Sequence, residues 1–314
     1  MPIYVVGERT QRVRIPNQAL ALSITGSVAG AELDVRVDAD QPVVRPTAHH
    51  AVLPHIAGDV TIGVRPVGAP RFGPGTVVHL AIAHDDPADV DPVRVLFDPV
   101  DVSGDSGVVF AALRPQGSHI EVGVTAVADV PLSPLGSAAR SSARQVIGRP
   151  PERSDGSVMV ALDISASMRP WFADGSAAAA TDIVVGVAAA AGIRNVSAAF
   201  VGAEVTPVVV GGSGVPGAGG VDLADAMRQA RPRWCAGARW SRLAPGPRTI
   251  ACADFPSSAV QQGLPVITFS NDRRFDAVGA RLPSPRLGHD ASDELLAHPH
   301  VLDRITAILV RALA

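Results

Sequence analysis

The segment Leu162-Asp163-Ile164-Ser165-Ala166-Ser167-Met168 sets one carboxylate and two hydroxyls at alternate positions. In extended chain, alternate side chains point the same way, so three oxygens can converge on one point. Carboxylate and hydroxyl oxygens suit a hard cation such as Mg²⁺, which takes about six ligands at about 2.1 Å and keeps several waters. A second carboxylate, Asp254, follows the apolar run Thr249–Ala253, just as Asp163 follows the apolar run Ser157–Leu162. If both runs are strands of one open α/β sheet, both carboxylates stand at carboxyl ends, where such sheets form their ligand crevices. The competing reading is that Asp163, Ser165 and Ser167 only cap the next segment through side-chain hydrogen bonds.

The elements that would position these residues change character along the chain. Over residues 1–130 the apolar residues alternate: Leu33, Val35 and Val37; Val60, Ile62 and Val64; Val78, Leu80 and Ile82; Ile120, Val122 and Val124. With 11–15, 20–25, 93–97 and 108–113, this gives about eight short strands separated by Gly, Pro and Asp turns, the pattern of an antiparallel β-sandwich. Residues 131–156 are crowded with Pro, Gly and Ser and read as a linker, with a short helix around 138–146. From 157 to 314, apolar runs at 157–162, 196–201, 205–210, 249–253 and 264–269 alternate with helical stretches at 176–191 and 222–230. A last helix follows Pro299, with Val301, Ile305, Ile308, Leu309 and Ala312 on one face. Strands apolar on both faces, alternating with helices, predict a doubly wound parallel sheet. The expected fold class is therefore all-β followed by α/β.

Composition narrows the function classes. Of 314 residues, 47% are hydrophobic, enough for a sizeable core. The net charge is −3, which argues against nucleic acid or an anionic membrane as the main partner. All 27 basic residues are Arg, so a P-loop or a Schiff-base lysine is excluded. Two cysteines, Cys235 and Cys252, make neither a disulfide framework nor a zinc quartet. The opening Met1-Pro2-Ile3-Tyr4 lacks a basic stretch followed by a long apolar one, and no apolar run approaches about 18 residues. A cytoplasmic protein is expected. Arg231, Arg233, Arg239, Arg242 and Arg248 interleave with Trp234 and Trp240. Such a loop can stack on a nucleobase or meet an acidic protein, and the net charge favours an acidic protein partner or a loop simply packed on the surface.

The second half resembles a von Willebrand factor A (VWA) domain. Asp163, Ser165 and Ser167 match the DxSxS element of that family's metal-ion-dependent adhesion site (MIDAS), and Asp254 matches its later aspartate. The family's intervening threonine falls at Val221, in Gly219-Gly220-Val221-Asp222-Leu223, where no oxygen is available. The resemblance implies a Rossmann-like, non-catalytic module. In it a Mg²⁺ or Mn²⁺ ion bridges the domain to an acidic side chain on a partner protein. The first half resembles TerD-type tellurium-resistance domains through Arg9–Pro16, Ala31–Val35, Val95–Asp98, Gly104–Val108 and Ile120–Thr125. That resemblance implies Ca²⁺ binding, and the clustered acids Asp34, Asp38, Asp40, Asp85, Asp86, Asp89, Asp91, Asp98, Asp101 and Asp105 could chemically form a carboxylate cup, although solvated turns and strand faces are the favoured reading of them. It also implies a chemical-stress setting, with an AAA+ ATPase or other tellurium-resistance proteins as associates.

Two alternatives stand beside the metal-dependent interaction module. One is a metal-independent interaction protein whose site has decayed. The other is a Mg²⁺-dependent hydrolase, but Ser165 stands where the haloacid-dehalogenase phosphatases place a second aspartate, and their lysine has no counterpart. No Gly-x-Ser-x-Gly elbow surrounds Ser165 either. Val221→Thr keeps the side-chain volume and adds one oxygen, so it is expected to tighten Mg²⁺ or Mn²⁺ binding by about 1 kcal/mol. Calorimetric titration against Val221→Ala checks this: equal affinities would show that position 221 does not face the ion.

Overall fold

The computed structural model describes residues 2–7, 11–37, 41–85, 92–126, 132–147, 154–209, 220–243 and 248–313. The chain divides into two compact units, Met1–Asp129 and Val130–Ala314.

The described part of the first unit is built from strands. One sheet orders β1 (Ile3–Val6), β9 (Arg94–Phe97), β8 (Val77–His84), β3 (Leu20–Gly26), β6 (His50–Leu53) and β5 (Val44–Thr47), with β10 (Val100–Asp101) also on β8. The second orders β2 (Arg12–Pro16), β12 (His119–Val124), β11 (Val108–Gln116), β7 (Val60–Pro66) and β4 (Ala31–Val37). Alternation does the work expected of it. Leu20, Leu22 and Ile24 from one sheet and Leu33, Ile62, Val64 and Leu113 from the other share a single core. The tight β11–β12 connection passes through Gly117, whose φ of 64° is open to glycine at little cost.

The second unit has one six-stranded sheet in the order β15 (Val205–Pro207), β14 (Ile193–Val201), β13 (Ser154–Asp163), β16 (Arg248–Ala253), β17 (Val266–Phe269) and β18 (Ala280–Leu282). Its helices are α1 (Pro134–Ile147), α2 (Arg169–Ala173), α3 (Ser176–Ala190), α4 (Gly220–Gln229), α5 (Ser257–Gln261), α6 (Ala291–Ala297) and α7 (Pro299–Leu313). Within 131–156, α1 carries Leu135, Ala139 and Ala143, at fourfold spacing, into the core of this unit.

The structure corrects the expected fold class of a doubly wound parallel sheet behind an antiparallel sandwich. Two of the three sheets are mixed. β15 runs antiparallel to β14, because only Gly202–Glu204 separate them and a parallel return needs a crossover of a dozen or more residues. β15 also stops at Pro207, short of the expected 205–210. In the first unit β1 pairs parallel with β9, a partner remote enough in sequence to leave direction free. Nor are helices shared evenly between the two faces. α1, α3, α4, α6 and α7 all join the core that includes Val158, Val160 and Leu162 of β13. The alternate residues Ala161, Val201, Ala251 and Ala253 pack instead with Trp240 and with Ala259 of α5. Among the described residues no single helix is long and apolar enough to cross a membrane.

α1 lies against α3 closely enough that side chains are excluded. A Cβ at Gly186 would come within 2.2 Å of the Gly136 carbonyl oxygen and 2.9 Å of the Ala139 Cβ. In an open helix Gly→Ala gains about 1 kcal/mol. Here the clash is with backbone and reverses the sign: Gly186→Ala is expected to cost about 1–3 kcal/mol. The midpoint of urea unfolding of the full chain reads the effect, and a stabilised variant would show that the helices can part freely.

Candidate functional site

β13 is an interior strand with parallel neighbours on both sides. Leu162 is level with Phe200 of β14 and Cys252 of β16, so the ends of three strands are held in step. The chain leaves β13 at Asp163, and Ile164 still donates its N–H to the Val201 carbonyl at 3.1 Å. A 3-10 turn, Ala166–Met168, then leads directly into α2.

Asp163 is 5% exposed. Its Oδ1 accepts the Ser165 N–H at 2.6 Å, and the Ser165 and Ser167 hydroxyls meet at 3.0 Å. Ser165 is buried and Ser167 exposed, so the pair runs outward from the strand end. The Ser165 hydroxyl does not cap the 3-10 turn. The Asp163 carboxylate instead fixes the N–H of the N-cap residue itself, and the two hydroxyls are turned to each other. Asp254 stands at the end of β16 with its Oδ1 buried and without a hydrogen-bond partner. The two carboxylates feel one another: burial pushes the Asp163 carboxyl above its ordinary range, the Ser165 hydrogen bonds pull it down, and the Asp254 charge pushes it up again. The structure thus brings Asp163, Ser165, Ser167 and Asp254 to neighbouring strand ends. The side chains of Val221 and Asp222 lie outside what the structure describes.

A further segment borders this strand end. Cys235 donates its N–H to the Ile164 carbonyl at 3.1 Å and accepts the Ala166 N–H at 2.9 Å, so that it pairs with Ser165 as an isolated bridge. The Cys235 thiol donates to the Ile164 and Gly237 carbonyls. Trp234 meets Phe172 edge-on at 5.3 Å, and Trp240 is 3% exposed. Sequence reasoning missed this pairing, because a single bridge between segments some 70 residues apart leaves no periodic trace.

Among the described residues, no three of His, Cys, Asp and Glu gather as a ligand group. In the first unit Asp34 pairs with Arg36 at 2.7 Å, and Asp101 accepts the Ser103 N–H at 2.8 Å. Asp38, Asp40, Asp86, Asp89 and Asp91 of the expected Ca²⁺ group lie outside the described residues. Protein-family models and curated proteins, compared with this sequence, yield no match.

Sequence reasoning also passed over Asp182, a carboxylate set in the apolar run of α3. It is 1% exposed, hydrogen-bonds Ser133, and receives Arg228 of α4 at 3.3 Å. Burial, only partly offset by the Ser133 bond and Arg228, pushes its carboxyl from 3.8 to about 6. The folded state then binds more protons than the unfolded chain between those values, so stability falls as pH rises through the window. Each pKa unit is worth about 1.4 kcal/mol. Asp182→Asn is expected to remove a loss of about 2–3 kcal/mol between pH 4 and 7. Urea midpoints of wild type and variant across that range decide it; parallel curves would contradict the assignment.

Proposed function

We propose that the chain is a non-catalytic, divalent-cation-dependent protein-interaction module whose ion, Mg²⁺ or Mn²⁺, is held at the ends of β13 and β16. One observation carries the reading: a buried Asp254 oxygen without a hydrogen-bond partner stands beside a second buried carboxylate, Asp163. The Asp254 charge acts on the buried Asp163 carboxylate unfavourably, and a divalent cation at the two strand ends offsets both charges at once. The donor set is carboxylates and hydroxyls, the chemistry that a hard cation prefers. Asp163 and Asp254 would hold the ion, with the Ser165 and Ser167 hydroxyls completing the protein's share. The Ser165 N–H fixes the orientation of Asp163, and exposed Ser167 marks the side open to a partner. When bound, the ion supplies a coordination position for a carboxylate on the partner protein. This is the role implied by the likeness of the DxSxS element to the VWA adhesion site.

A second reading, a metal-independent interaction protein, is favoured by the Ser165–Asp163 bond, which gives the Asp163 carboxylate a local structural role without an ion. The two cysteines are free, which fits the reducing cytoplasm as the setting. A tellurium or chemical stress pathway rests on the N-terminal motifs alone.

The two readings differ in sign under one measurement. Without divalent ions, Asp254→Asn relieves the repulsion on Asp163 and is expected to raise the melting temperature. With Mg²⁺ or Mn²⁺, wild type is expected to gain about 2.7 kcal/mol at a hundredfold excess over Kd, and Asp163→Asn and Asp254→Asn to gain nothing. Equal gains in wild type and both variants would place the ion elsewhere. No gain in any of them would leave the metal-independent reading.

A further inference from the structure

The loop that pairs with Ser165 carries charge that the strand-end site does not use. Its segment around Cys235 runs beside Ile164–Ala166 through two backbone hydrogen bonds, so Arg233 and Trp234 are fixed next to the proposed ion site. Arg169, the first residue of α2, sets its guanidinium 5.6 Å from the centre of the Trp234 ring. Arg169, Arg233 and Arg239 are exposed. Among the described residues they make no ion pair, whereas Arg228 binds Asp182 and Asp225, and Arg242 binds the Ala203 carbonyl. What remains is an unpaired basic rim, backed by the edge-on contact of Trp234 with Phe172 and the tilted contact of Phe172 with Phe200, beside a site read as taking a carboxylate.

From this we infer that the rim of Arg169, Arg233 and Trp234 is a second recognition element, which selects a partner segment carrying a run of acidic residues. The inference rests on the reading of the strand end as an interaction face and adds what the partner must look like on either side of its bridging carboxylate. A peptide is favoured over a nucleic acid because the loop's indoles are not open for base stacking. Trp234 has Arg169 over its ring and Phe172 at close range, and Trp240 is buried. Arginine held on an aromatic face has lost part of its rotamer freedom in advance, which favours tight pairing with carboxylates.

The test uses the full chain and fluorescein-labelled hexaglutamate, followed by anisotropy with Mg²⁺ and with EDTA, while thermal shifts with Mg²⁺ are recorded in parallel. Hexaglutamate should bind and hexaglutamine should not. R169A/R233A should weaken binding about tenfold or more while leaving the Mg²⁺ thermal shift unchanged. R169K/R233K, which keeps the charge and loses the planar stack, should fall between the two. R36A, on β4 of the first unit, should match wild type. Wild type that ignores hexaglutamate, or R169A/R233A that binds it as wild type does, overturns the inference. So does displacement of the peptide by oligo(dT) more readily than by unlabelled hexaglutamate. Arginine-dependent peptide binding without any Mg²⁺ shift would sink the ion and leave the rim standing.

Discussion

Two carboxylates forced together at neighbouring strand ends are the constraint around which the second unit is arranged. Asp163 is nearly sealed from water, and Asp254 keeps one oxygen with no protein donor. Burial and the neighbouring Asp254 charge push the Asp163 carboxyl above its ordinary range. The two carboxylates persist as a pair because β13 lies between two parallel neighbours whose register fixes where it ends. The turn that follows is pinned from three sides, by Val201, by Cys235 and by the Asp163 carboxylate itself. A site so rigidly positioned has little entropy left to lose on taking up a ligand, which is how preorganisation converts fold stability into affinity.

The packing behind the sheet serves the same end. Five helices gather on the face carrying Val158, Val160 and Leu162, and α1 approaches α3 closely where Gly136 faces Gly186. α3 is apolar nearly all round, so it can sit between the sheet and α1. Asp182 is the exception on that helix, and it ties α3 to α4 through Arg228 and to the segment before α1 through Ser133. A buried, partly compensated carboxylate is a weak source of stability. Its value here is in fixing helix positions behind the strand ends rather than in net energy.

Strands with one wet face were legible in the sequence. β3, β4 and β8 alternate between buried and accessible residues as their sequences do, whereas buried Gly63 in β7 and buried Glu121 in β12 interrupt the alternation. β5 was not legible, because Val-Arg-Pro-Thr is exposed throughout and has no alternation to display. α1 was mistaken in part for linker, since Pro, Gly and Ser crowd the stretch that contains it, yet Leu135, Ala139 and Ala143 already mark a buried stripe. In α7 the expected face was displaced: Leu302, Ile305 and Leu309 are buried, while Val301, Ile308 and Ala312 are only partly covered. The even winding expected of the second sheet was wrong because strands apolar on both faces do not say which face a helix covers. For the site, chain order alone placed Asp163 and Asp254 at strand ends. The Cys235 bridge and the Arg169–Trp234 stack are tertiary, and no local spacing encodes them.

The central claim is that Asp163 and Asp254 hold one divalent ion between them. Electron paramagnetic resonance of added Mn²⁺ tests this most directly, since the free ion's signal is lost on binding and can be titrated. The account predicts one Mn²⁺ per chain, displaced by Mg²⁺, and lost in both Asp163→Asn and Asp254→Asn. Stoichiometric Mn²⁺ binding that survives in the double variant would contradict it.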